Sequence, residues 1–124
     1  MAMTKEERAA RAVMNRRTGC NCCQAVLLAY ADEVGLTEEQ LMQLGRAFAV
    51  GMGGMEATCG ALIGAGMLLG LKGGAPAQAR RLHEVFKAAC GATICCELKG
   101  IGTGQVLCPC EECVRNAVLA LEAL

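Results

Sequence analysis

The stretch ATCGALIGAGMLLGL, residues 57–71, decides the fold. It is the most apolar run in the chain, yet it is shorter than the roughly 18 to 20 residues that a membrane-spanning helix needs. It lacks the alternation of a strand, so the pattern predicts a helix over about 58–71, buried inside a bundle. Gly60 and Gly64, then Gly66 and Gly70, stand four residues apart, and each glycine costs about 1 kcal/mol of helix propensity. The expected compensation is close approach of a neighbouring backbone or of a bound group.

On the N-terminal side, Gly51, Met52, Gly53 and Gly54 stop a third helix, which Thr37 and Gln40 open as a capping box. Leu41, Leu44, Ala47 and Phe48 are its apolar face. Residues 20–34 are apolar nearly all round, which predicts a second helix buried on most sides and ended by Gly35 as a C-terminal cap. Thr4 with Glu7 is another capping box, and Ala10, Val13 and Met14 carry the first helix to about residue 17, where Thr18 and Gly19 break it. On the C-terminal side, residues 72–74 form a turn and Pro76 fits the first turn of a fifth helix. Its buried stripe is Leu82, Val85, Phe86 and Ala89, and it ends at Cys90 and Gly91. A short helical piece at 94–98 leads into a Gly-rich loop at 99–105, and Pro109 opens the last helix. With no strand pattern and no repeat, these readings predict an all-α, single-domain compact bundle of about six helices over residues 1–124.

Apolar residues make up 54% of the chain but aromatic ones only 2%, so Ala, Leu, Val, Met and Cys must build the core. Twelve basic and twelve acidic residues cancel, which removes the electrostatic attraction behind most nucleic-acid binding and argues against a DNA or RNA partner. The first 17 residues are charged and carry no apolar signal segment, so the expected location is the cytoplasm, with no membrane span. The apolar content suits a homodimer.

Ten cysteines are far above ordinary usage, and a reducing compartment argues against ten structural disulfide partners. Redox chemistry or soft-metal binding is the natural alternative, with a small core residue as the plain reading of any single cysteine. Cys20, Cys22 and Cys23 cluster where the second helix begins, Cys59 sits in the first turn of the fourth, and Cys108, Cys110 and Cys113 begin the last. Helix N-termini offer free N–H groups and the positive end of the dipole, which predicts lowered thiol pKa values there. Cys20 with Cys23 and Cys110 with Cys113 have CxxC spacing, which serves zinc, disulfide and iron–sulfur chemistry alike. The pairs are too far apart for an ordinary zinc ribbon, no strand precedes either for a thioredoxin fold, and Val114 after Cys113 excludes a c-type haem motif.

Cys22, Gln24, Ala25 and Val26, then Cys59, Gly60, Ala61 and Gly64, then Cys96 with Leu98 and Gly100, and finally Cys113 resemble the redox-active family named C-GCAxxG-C-C. The likeness runs from about residue 22 to residue 118, and its CGAxxG element is the most specific part. It implies a redox role, inferred for that family from its cysteines, and it implies Cys22, Cys59, Cys96 and Cys113 as the signature positions. Cys95 stands beside Cys96, and Cys20, Cys23, Cys108 and Cys110 are substitutes within reach of the same signature. The six extra cysteines raise the case for a metal.

Other candidates carry less. His83 has no carboxylate or serine partner at useful spacing and reads as solvated. The pairs Asp32 with Glu33, Glu38 with Glu39, and Glu111 with Glu112 lie at helix ends, where capping and solvation explain them. Gly53, Gly54 and Gly60 would let backbone N–H groups approach Cys59 or a group bound to it, although no P-loop lysine accompanies them. Seven methionines suit a soft helical core, and beside cysteine they would suit Cu(I). The sequence thus predicts a thiol-based redox or electron-transfer protein with an unidentified redox partner, in which the four signature cysteines converge as a dithiol/disulfide or an iron–sulfur site. The alternative is non-catalytic binding or storage of Cu(I) or zinc, and Cys59 is the expected attacking thiol.

Overall fold

Thr4 accepts from the Glu7 N–H at 3.1 Å while the Glu7 carboxylate accepts from the Thr4 N–H at 3.0 Å, and this reciprocal cap starts α1, Lys5–Arg17. The computed structural model describes residues 3–124. Six further helices follow: α2 Cys22–Leu28, α3 Glu38–Gly45, α4 Gly60–Leu71, α5 Pro76–Cys90, α6 Cys95–Lys99 and α7 Cys110–Glu122. A single 3-10 turn, Arg46–Phe48, extends α3. The chain is all-α, with seven helices and no strand among the described residues. None of those helices is long and apolar enough to cross a membrane.

α2 lies at the centre, packed on α1, α3, α4 and α7, while α1 runs against α7 and α5 closes over α4 and α7. The core is aliphatic: Leu27, Leu41, Leu68, Leu82, Leu98, Val26, Val114 and Val118 are fully enclosed, together with Phe86 and Tyr30. α4 forms over the predicted span, and its glycines divide into two kinds. A Cβ on Gly60 would stand 2.6 Å from the Phe48 carbonyl oxygen, and one on Gly64 would stand 2.9 Å from the Cys23 carbonyl oxygen. Absence of side chains there lets α2 and α4 approach backbone to backbone, so packing offsets the propensity cost. Gly66 and Gly70 face open space, and nothing in the structure explains them.

The second helix differs most from expectation. It spans Cys22–Leu28 rather than 20–34, and the chain then runs through tight turns in which Tyr30 N–H bonds the Leu27 carbonyl and Ala31 N–H the Leu28 carbonyl. The cause is Arg8, whose guanidinium is buried among these turns. It donates to the Ala29 carbonyl at 2.7 Å, pairs with Asp32, and reaches the Glu33 carboxylate at 2.8 Å. The Tyr30 ring lies 4.7 Å from the same guanidinium. Straight continuation of α2 would leave this buried charge without partners. Gly35 accordingly takes no left-handed conformation, unlike Gly91 after α5, whose φ is 94°. Ala89, expected on the buried stripe of α5, is exposed.

Candidate functional site

Four helices begin at one cavity. Cys22 is the first residue of α2, Cys59 the N-cap of α4, Cys95 the first residue of α6 and Cys110 the first residue of α7. Asn21 sets the start of α2: its side-chain Oδ1 accepts from the Gln24 N–H at 2.8 Å, and its side-chain Nδ2 donates to the Gly45 carbonyl at 3.0 Å. Cys59 and Cys95 are held by an antiparallel bridge between Thr58 and Ile94. Across it the Cys59 N–H donates to the Thr93 carbonyl at 2.7 Å and the Cys95 N–H to the Ala57 carbonyl at 3.0 Å. Gly51, with φ 59°, packs on this bridge; a Cβ there would meet the Cys95 Cβ at 2.7 Å. Its neighbours Val50, Met52 and Met55 also take positive φ, at 44°, 60° and 62°. A β-branched residue rarely does so, and local strain of this kind gathers at functional sites.

The cavity encloses about 270 Å³, just below the range of drug-sized ligand pockets. Its wall carries Cys20, Cys22, Cys59, Cys95, Cys108, Cys110 and Cys113, together with Arg16, Lys99, Asn21 and Leu98. Three of the four signature cysteines, Cys22, Cys59 and Cys113, therefore meet there, along with four of the substitutes. Cys96 is half-buried and off the wall, where its N–H donates to the Met55 carbonyl at 2.7 Å. Cys23 is turned away against Gly60 and Gly64, so the Cys20–Cys23 spacing does not form a pair at the cavity. Gly60 lines the cavity, whereas Gly53 and Gly54 are exposed and do not. His83 is exposed as well.

Thiol pairing decides the electrostatics more than helix position does. Contact with the Cys110 thiol, together with burial, pushes the Cys22 thiol up. The same contact, aided by the Lys99 and Arg16 charges, lowers Cys110 to about 5. In the second pair, Cys113 lowers Cys59, with help from the Ala61 and Leu62 backbone N–H groups, and Cys59 and Cys90 raise Cys113. The lowered values expected at helix N-termini thus hold for Cys59 and Cys110. They fail for Cys20, Cys22, Cys23, Cys108 and Cys113, all of which are raised, burial being a cause in each case. Arg16 adds a further feature, because its Nε is buried without a hydrogen-bond partner beside this wall of sulfur.

Sequence reasoning missed Arg16 and Lys99, which reach the cavity from α1 and α6 and have no local signal, and it read Cys90 only as a helix terminator. The Cys90, Cys108 and Cys113 sulfurs lie within 4.8 Å of one another, all three buried. Asn116, one turn beyond Cys113 on α7, donates to Cys90 Sγ at 3.4 Å and to Cys108 Sγ at 3.9 Å. Thiolates so placed are the chemistry of disulfide exchange and of soft metals.

No curated protein and no solved structure matches the chain. Residues 20–124 match the family model described as "Putative redox-active protein (C_GCAxxG_C_C)". That span takes in the whole cysteine-lined wall except Arg16 and Gly19. With most of its length covered and its CGAxxG element at the start of α4, the chain belongs to the C_GCAxxG_C_C family.

Proposed function

We propose that the chain is a thiol redox protein whose working pair is Cys110 and Cys22, set in the cysteine-lined cavity. The observation that carries this reading is their juxtaposition at the starts of α7 and α2, with Arg16 and Lys99 alongside. Cys110 is the more accessible of the low-pKa cavity thiols, being half-buried where Cys59 is only 5% exposed, so the attacking role passes from Cys59 to Cys110. In the forward step, Cys110 thiolate attacks one sulfur of a partner disulfide, and the other partner sulfur leaves as a thiolate. Cys22 then attacks the mixed disulfide at the Cys110 sulfur, the Cys22–Cys110 bond forms, and the second partner sulfur is released, taking up the Cys22 proton. The protein dithiol loses two electrons and two protons, and the partner disulfide becomes a dithiol. Cys59 and Cys113 stand behind this pair as a second dithiol.

The test is a redox titration of oxygen-free protein with mass mapping of the bonds formed. Two thiols should disappear together on mild oxidation, with Cys22 joined to Cys110. Cys22→Ser and Cys110→Ser should each abolish that bond, and Cys96→Ser should leave it intact. Failure to find a Cys22–Cys110 bond at any poise refutes the pairing.

A second reading is supported by the number of thiols on the one wall: Cys22, Cys59, Cys110 and Cys113 would hold an iron–sulfur cluster and move single electrons. Iron with acid-labile sulfide in protein purified without oxygen, lost when Cys59 or Cys113 is replaced by Ser, would favour it over the dithiol.

A further inference from the structure

We propose that Cys90, Cys108 and Cys113 form a three-thiolate site for one soft monovalent cation, Cu(I), distinct from the Cys22–Cys110 pair. Cys90 ends α5, Cys108 closes the loop after α6 and Cys113 lies in the first turns of α7, so three separate segments bring one sulfur each. Their relative exposures are 4%, 4% and 2%. Cys90 and Cys108 belong to neither the signature nor the pair proposed above, and Cys90 lies off the cavity wall.

The geometry selects the ion. A metal bound to thiolates at about 2.3 Å in a trigonal plane separates its sulfurs by about 4.0 Å. The three sulfurs already lie within 4.8 Å of one another, so small side-chain adjustments close the triangle. No fourth cysteine, histidine or carboxylate joins this group among the described residues. A closed structural zinc site takes four protein ligands, whereas a soft ion of low charge accepts three thiolates.

The surroundings fit an anionic centre. Asn116 turns its amide Nδ2 toward Cys90 and Cys108 and supplies the outer hydrogen bonds that thiolate ligands need. The start of α7, a thirteen-residue helix, places its positive end beside Cys113. Binding exchanges thiol protons for the metal, with no change of oxidation state, so the site needs no co-reactant.

The experiment uses the full chain, reduced and metal-free under argon, titrated with Cu(I) against a chromophoric Cu(I) chelator. One tightly held copper per chain is expected, with three sulfur neighbours at about 2.3 Å by X-ray absorption. Alkylation with N-ethylmaleimide followed by mass mapping should find Cys90, Cys108 and Cys113 protected by one equivalent of copper while Cys22 and Cys110 still react. Cys90→Ser should weaken binding at least 100-fold, Asn116→Leu about 10-fold, and Cys22→Ser less than twofold. Protection falling on Cys22 and Cys110 instead, or unchanged affinity in a folded Cys90→Ser protein, would overturn the proposal. The protection pattern of the native chain decides even if that variant does not fold. A negative result leaves the dithiol reading standing, because Cys90 takes no part in it.

Discussion

Gly60 and Gly66 stand on one helix six residues apart, yet substitution should act on them in opposite directions. A methyl group on Gly60 collides with the Phe48 carbonyl at 2.6 Å, and the Cys23 backbone nitrogen follows at 3.3 Å. Neither is the free end of a side chain, so the contacts of α4 with the 3-10 turn and with α2 must open. We expect Gly60→Ala to destabilise the protein by about 1 to 3 kcal/mol in urea unfolding. Gly66 has nothing within 4 Å and sits in the exposed interior of a helix, so Gly66→Ala should stabilise by about 0.5 to 1 kcal/mol in the same assay. Equal effects would mean that backbone proximity is not what the first glycine serves.

Among the elements, α2 is the one whose limits lie outside its own sequence. Residues 20–34 are nearly all apolar and give no stop signal, because the stop is a guanidinium supplied by α1. Local chemistry was legible where it was self-contained: both predicted capping boxes form, Pro76 opens α5, and α4 occupies its apolar run. It was illegible where a partner distant in sequence decides, as Arg8 does for the turns at Ala29 and Asp32. Replacing Arg8 by Leu should cost about 3 kcal/mol by removing the buried partner of these groups. Acid should reveal the same link. The Arg8 hydrogen bond holds the Asp32 carboxyl below its ordinary value of 3.8. A lowered folded-state value contributes stability that is complete above the unfolded value and is lost as pH falls through the folded one. Thermal melts between about pH 5 and about pH 2 should therefore show a shallower decline for Asp32→Asn than for the native chain. The difference will be modest, since the Asp32 side chain is 48% exposed.

At the scale of the molecule, sequence clustering of cysteines named the neighbourhood of the site but not its pairings. CxxC spacing joins Cys20 to Cys23, whereas the fold sets Cys22 against Cys110 and Cys59 against Cys113. Those pairings depend on where α2, α4 and α7 cross, which no spacing encodes. They also predict a coupling of redox state to stability. A Cys22–Cys110 bond closes a loop of roughly 90 residues and in the chain-entropy treatment stabilises by about 4.6 kcal/mol. Calorimetry should therefore find the oxidised form melting above the reduced one, and Cys22→Ser should erase the gap. The convergence of four helix starts on one cavity has a further consequence for how the chain acquires its shape. Cys110 and Cys113 are carried by α7, the last helix, and α7 packs on α1, the first. During synthesis the earlier thiols must wait, unsheltered, until α7 has emerged. A denatured chain returned to buffer should thus regain its native form in high yield with a reductant present, and become trapped by mismatched crosslinks without one.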